Sequence, residues 1–245
     1  MSLSPALDSD AAIDRIGRSV NRLSVAECAG YESARAEAEG GLREGLDGLL
    51  AATGRIVAQA GQLWEGMRSG APEATGKAAC RAGCGWCCHQ RVGALLPEVF
   101  WIARRIGDEG RRDEALARLS GSKGGKACPF LEEGGCTIYA LRPLKCRGLY
   151  VRDAAWCMRT YAGIVAPTAA PPLAGVLLPE PKDLFDGALK GLALTLIRKG
   201  RDCPGVEFAP TLRLVLDGRL TAEAWWRGRI QLPEALRLDW FPAPR

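Results

Sequence analysis

Cys80-Arg81-Ala82-Gly83-Cys84-Gly85-Trp86-Cys87-Cys88-His89 is the stretch around which the rest of the chain is organised. A second, looser group follows at Cys128, Cys136, Cys146 and Cys157, so that eight of the ten cysteines lie between positions 80 and 157. Spacings of two and three residues let neighbouring thiolates turn back onto one ion, whereas a disulfide framework needs pairs held apart by geometry. The pattern points to a metal site, with Cys80, Cys84, Cys87, Cys88, Cys128, Cys136, Cys146 and Cys157 as candidate ligands. Eight sulfurs divide into two tetrahedral sets, as closed zinc sites require. They also divide into one set of four for an iron–sulfur cluster with the remainder in other roles. Zinc and iron are both compatible with the spacing.

The residues around the cysteines sharpen this reading. Side chains of adjacent residues diverge by roughly 100° on a helix and about 180° on a strand, so Cys87 and Cys88 are expected to serve two sites, or opposite sides of one cluster. Gly83 and Gly85 flank Cys84 and can supply tight turns. Arg81, Arg91, Arg142, Lys145 and Arg147 all sit within five residues of a cluster cysteine, where cationic donors stabilise thiolates. His89 is the only histidine. It is placed to ligate, but eight sulfurs suffice without it, and any mechanism that needs two histidines is excluded. Glu132-Glu133 before Gly134-Gly135 reads as a turn.

Composition sets the frame. A chain of 245 residues with 47% hydrophobic content can bury a real core. It has no apolar run of about 18 residues, the length a membrane helix needs. Met1 to Asp14 has neither a basic start nor an apolar block. A cytoplasmic location is therefore expected, where thiols stay reduced. The formal charge is +5. Two Zn²⁺ ions each held by four thiolates would carry a net −4 and bring that figure to +1, which removes most of the electrostatic case for nucleic acid. The expected partners are a metal ion and, in some settings, another protein, without membrane or nucleic acid.

Outside the cysteine groups the periodicity is helical. Apolar residues at three- and four-residue steps (Ile13, Ile16, Val20, Leu23, then Leu42, Leu46, Leu49, Leu50) predict two helices from Asp10 to about Met67, separated near Gly40-Gly41. Cys28 is expected to be a small buried residue. Ser69 to Lys77 reads as a linker. Pro97-Glu98 suits a first helical turn, predicting a helix to Ile106 and a second piece from Asp113 to Leu119. Ser120 to Lys126 is glycine-rich, but its register does not fit a phosphate-binding loop. A Pro/Ala-rich segment from Tyr161 to Pro181 precedes a helix at Asp183–Lys199, a turn holding Cys203, and one or two short helices carrying Trp225, Trp226 and Trp240, whose aromatic rings should close a core. The fold class is mainly α, an irregular cysteine-rich metal-stapled core flanked by helices. The expected division is 1–76 as an N-terminal helical segment, 77–160 as the cysteine-cluster metal-binding domain, and 161–245 as a connection with C-terminal helices.

The ordered run Cys80-x3-Cys84-x2-Cys87-Cys88, Cys128-Pro129-Phe130-Leu131, Gly135-Cys136-Thr137-Ile138-Tyr139 and Arg142-Pro143-Leu144-Lys145-Cys146-Arg147 resembles the YkgJ-type cysteine-cluster family of zinc- or iron-chelating proteins. The resemblance covers about residues 80 to 157 and implies metal binding without naming a reaction. Larger proteins related to that family resemble flagellin lysine methylases, which implies an iron–sulfur cluster there. The spacing Cys80-x3-Cys84-x2-Cys87 is also similar to that of radical S-adenosylmethionine enzymes. Those enzymes need strand–helix repeats that are not legible downstream. The function expected is a cytosolic metal-binding protein holding zinc or iron. The alternative is an iron–sulfur-dependent enzyme or accessory factor, such as one acting in lysine-methylation-like protein modification.

Overall fold

The computed structural model describes residues 23–70, 78–81, 83–121, 127–161 and 176–238. Two long helices open it. Helix α1 spans Val25–Arg43 and α2 spans Gly45–Gly70. Ser24 caps α1, its hydroxyl oxygen accepting the Glu27 N–H at 3.2 Å. The buried face of α1 is Ala26, Gly30, Tyr31, Ala34, Ala38 and Gly41, the three- and four-residue rhythm of one helix side. Helix α1 runs through Gly40-Gly41, where a break was expected. The chain turns instead at Glu44 and Gly45, and Gly45 has φ +82°. Gly41 is a packing position: a Cβ there would stand 2.6 Å from Ala52 Cβ on α2. Cys28, expected inside, is exposed on α1. It lies two residues after Ala26, on the far side of the helix. The expected start of this helix before Leu23 falls outside the described residues.

The middle of the chain supplies short elements: β1 (Gly93–Leu95), α3 (Leu96–Asp108), α4 (Arg112–Gly121), the hairpin β2 (Leu131–Glu132) and β3 (Gly135–Cys136), α5 (Leu144–Gly148) and α6 (Ala154–Tyr161). After them come α7 (Pro179–Arg198), β4 (Gly205–Glu207), α8 (Phe208–Leu216), α9 (Ala222–Trp226) and β5 (Arg237–Leu238). The protein is mainly α, as expected. The strands, which periodicity did not predict, are two or three residues long, too short to alternate visibly. Strands β1, β4 and β5 form an antiparallel sheet in the order β1-β4-β5. That sheet joins the chain just after the first cysteine group to the C-terminal third.

Helix α7 packs along α1 closely enough that glycine is a requirement. A Cβ on Gly187 would stand 2.0 Å from Glu27 O, and one on Gly30 would stand 2.0 Å from Leu184 O. Backbone meets backbone there. Proline starts α7 at Pro179, where the absent N–H costs nothing. One hydrophobic cluster draws Leu49, Ile56 and Trp64 from α2, Val99, Phe100 and Ile102 from α3, Leu184 and Leu192 from α7, and Phe208 and Leu212 from α8. Phe130, Ile138, Leu141 and Leu144, from between the later cysteines, belong to the same cluster. The second cysteine group is thus anchored on the helical core. Trp225 is buried against Phe100 at 5.7 Å between ring centroids, the core-closing role expected of it. Trp240, the Ser69 to Lys77 linker beyond Gly70, the glycine-rich loop beyond Gly121 and most of the Pro/Ala segment lie outside the described residues.

Candidate metal centre

Each cysteine is held by a local feature that the sequence builds. Cys84 follows Gly83, which has φ +82°. Cys87 and Cys88 lie on a 3-10 turn, Trp86–His89. Gly85 is a point of close approach between the two groups: a Cβ there would meet Leu131 Cδ1 at 2.5 Å and Gly134 O at 2.8 Å. Beside it, the Cys128 N–H donates to Cys88 O at 2.6 Å. Glu133 and Gly134, with φ 47° and 79°, make the two-residue turn of the β2–β3 hairpin, the left-handed pair such a hairpin needs. This turn delivers Cys136. Cys146 sits on α5, which Pro143 starts; the Cys146 N–H donates to Pro143 O at 3.0 Å.

The result is a shared cavity. Cys84, Cys87, Cys88, Cys128, Cys136 and Cys146 line one space of about 250 Å³, together with Arg91, Arg142 and Lys145. Cys80 and Cys157 are not among its lining residues. They pack against each other's neighbours in a small adjoining cluster with Val151, Trp156 and Trp86. Cys80 is stitched there by two bonds: its sulfur accepts the Val151 N–H at 3.3 Å, and the Ala79 N–H donates to Val151 O at 2.7 Å. His89 does not line the cavity. Its ring lies 6.1 Å from that of Trp86. All the described cysteines are free thiols.

Cys87 and Cys88 line the same cavity, which agrees with the expected placing on opposite sides of one cluster. The Cys87 thiol is pushed far up, first by the neighbouring Cys88 thiol and then by burial. Burial raises Cys80, Cys128, Cys136 and Cys146 as well. Cys157 is pushed up to about 12 by burial and then by Cys80, Cys84 and Cys87. Neutral thiols are the stable form of a buried sulfur cluster, and a divalent cation supplies the charge that would make thiolates stable in its place. Among the described residues no three Cys, His, Asp or Glu side chains stand close enough to hold one ion as arranged. The donor set nevertheless fits a thiophilic metal: several sulfurs on one cavity, with no competing carboxylate among its lining residues.

Glu98, read from the sequence only as a helix-start acid, has a further role. It is completely buried. Its Oε2 accepts the Leu95 N–H and its Oε1 accepts the Leu144 N–H, each at 2.8 Å. One carboxylate thereby ties the start of α3 to the start of α5, two residues before Cys146. Burial pushes it up to about 7 against the opposing pull of those two N–H donors and of Arg147 and Lys145. The partner lies 46 positions away, beyond any spacing rule. Arg147 braces the same segment, its Nε donating to Arg142 O at 2.8 Å.

Several free thiols line a single cavity set on the helical core. Residues 79–159, about a third of the chain, match the model of the CxxCxxCC family, whose description reads "Putative zinc- or iron-chelating domain". No curated protein and no solved structure matches the chain. The family match supports binding of zinc or iron through these cysteines. No described helix is long and apolar enough to cross a membrane.

Proposed function

We propose that the chain is a cytosolic metal-binding protein whose clustered cysteines, Cys80, Cys84, Cys87, Cys88, Cys128, Cys136, Cys146 and Cys157, chelate zinc or iron. The observation that carries this reading is that six of them, from three separate stretches of backbone, line one cavity. The sulfurs close on the ion by side-chain rotation, and residues 77–160 then form a metal-stapled core between the helical segments. Bound zinc supplies a structural cross-link, worth on the order of 10 kcal/mol in small modules. The chain's own residues do the rest. Gly85 and the Cys128–Cys88 bond hold the two groups together, Glu98 fixes the arm bearing Cys146, and the adjoining basic side chains offset thiolate charge. Elemental analysis of protein purified anaerobically without added metal tests the proposal. Zinc or iron near stoichiometric with the chain is expected, with at least half lost in Cys84→Ser and in Cys146→Ser. Full loading in both variants sinks the ligand assignment.

A second reading has one observation in its favour. A space of about 250 Å³ exceeds what a single coordinated ion fills and would admit an iron–sulfur cluster, which supplies one-electron chemistry. Acid-labile sulfide and visible charge-transfer absorbance would mark it, and a colourless, sulfide-free protein would exclude it. The reaction that such a centre would serve, protein modification included, belongs to this second reading.

A further inference from the structure

A second cavity, of about 490 Å³, adjoins the cysteine cavity and shares Tyr139 and Arg142 with it as lining residues. Its apolar walls are Trp64, Tyr150 and Phe185. The Trp64 and Tyr150 rings stand 5.2 Å apart at 53°, and Phe185 is buried. Two guanidiniums face this space, those of Arg142 and Arg147. Arg142 lies over the Tyr139 ring at 3.6 Å and donates from Nε to Tyr139 O at 3.2 Å. Arg147 donates to the backbone oxygens of Arg142 and Ala140. Both arginines are therefore held in place by carbonyls and a ring, and among the described residues neither forms an ion pair with a carboxylate, Glu98 bearing on Arg147 only electrostatically. Glu65, the one acid lining the space, is engaged by Arg68 at 3.2 Å. The Trp64 Nε1–H is also buried without a hydrogen-bond partner, its contact with the Tyr150 hydroxyl falling outside hydrogen-bond geometry.

Two like charges fixed side by side at a concave, aromatic-walled surface favour an anion. Arginine presents its donors in a fork that matches carboxylate or phosphate oxygens. Ligand sites combine apolar walls with a few convergent polar groups in this way, in cavities of a few hundred Å³. We propose that this second cavity binds an organic anion with a broad apolar body, its carboxylate or phosphate held by Arg142 and Arg147 and its body against Trp64, Tyr150 and Phe185. Because Arg142 also lines the cysteine cavity, the anion lies next to the proposed metal centre. The inference rests on that reading for its setting and not for the binding itself.

The test uses full-length protein as purified, titrated calorimetrically with 2-naphthoate, 2-naphthyl phosphate and the neutral 2-naphthamide. Saturable one-site binding of the two anions is expected, with the amide at least tenfold weaker. Arg142→Gln should weaken the anions roughly tenfold, the loss of one charge-assisted contact. Gly61→Leu provides an independent blocking variant. Gly61 lines the cavity, and a Cβ there meets nothing within 4 Å, so the leucine fills space without strain. It should abolish binding while metal content stays unchanged and the melting temperature holds or rises, leucine being the better helix former. Absence of saturable binding by either anion, equal binding of the amide, or anion binding indifferent to Gly61→Leu overturns the proposal. If Arg142→Gln instead lowers metal content and leaves anion affinity intact, Arg142 is only a counter-charge for the thiolates and the proposal fails. If the protein as purified contains neither zinc nor iron and yet binds the anions, the chelating function fails and this site stands.

Discussion

Glu98→Gln separates the two things this buried carboxylate does, holding two backbone donors and carrying a titratable charge. In the native protein both oxygens accept N–H groups at 2.8 Å, from Leu95 and Leu144. A glutamine keeps one acceptor and turns an NH₂ toward the other donor, leaving a buried N–H unpaired. That costs about 1–3 kcal/mol at low pH, where the native carboxyl is also protonated. The charge has the opposite sign. The folded-state value of about 7 stands above the ordinary 4.5, so the folded protein holds this proton more tightly than the unfolded chain. The resulting stability is fully present below about pH 4.5 and is lost as pH rises through 7. At 1.36 kcal/mol for each pH unit separating the two values, the native protein loses about 3 kcal/mol over that window relative to the variant, which carries no charge at 98. Urea unfolding of both proteins at matched metal loading, from pH 5 to pH 8, measures the difference and cancels the titration of groups common to both. The stability gap between native protein and variant should close or reverse on going to pH 8. A gap that is constant across the range would refute the assignment of a raised buried acid at this position.

Three further outcomes follow from the packing and the site. Gly187→Ala places a Cβ 2.0 Å from Glu27 O, so α1 and α7 must part. A loss of about 1–3 kcal/mol or more is expected as a lowered melting temperature, and an unchanged melt would show that the helices do not approach as described. Gly85→Ala collides with Leu131 and Gly134 and should lower metal per chain while far-ultraviolet circular dichroism is preserved; full loading would dismiss Gly85 as the contact between the groups. Chelator treatment should expose residues 79–159 to limited proteolysis before the α1–α7 pair, whose glycine-mediated contact involves none of the proposed ligands, and simultaneous cleavage of both regions would contradict that order.

What the sequence made legible was whatever a local rule governs. The apolar face Val99, Phe100, Ile102 and Ile106 of α3 and the turn at Gly134 follow from helical periodicity and local turn chemistry. What stayed hidden was set by contacts between distant segments. Gly40-Gly41 carries the composition of a break, yet Gly41 lies inside α1 because Ala52 of α2 needs the space. Cys28 has the character of a buried residue, but its side of α1 faces away from both α2 and α7. The β1-β4-β5 sheet pairs Gly93 with Glu207 and Val206 with Arg237 over strands too short for alternation to register.

The cysteine spacings illustrate the same limit within the candidate site. They identified which residues bear the sulfurs, and a two- or three-residue gap is enough for that, because chelation by neighbours is a local matter. They could not say which sulfurs meet, because that depends on Gly85 admitting the hairpin, on Phe130 anchoring Cys128 to the core, and on Glu98 gripping the backbone before Cys146. Cys80 and Cys157 lie 77 positions apart in the sequence, yet they pack in one small cluster beside Val151, while the other six share one cavity. Cys84 and Cys87 line that cavity and also bear electrostatically on Cys157. Metal analysis of Cys157→Ser beside Cys128→Ser decides how the sharing falls. Near-complete loss in both variants means one cooperative centre, and loss of about half the metal in each means two.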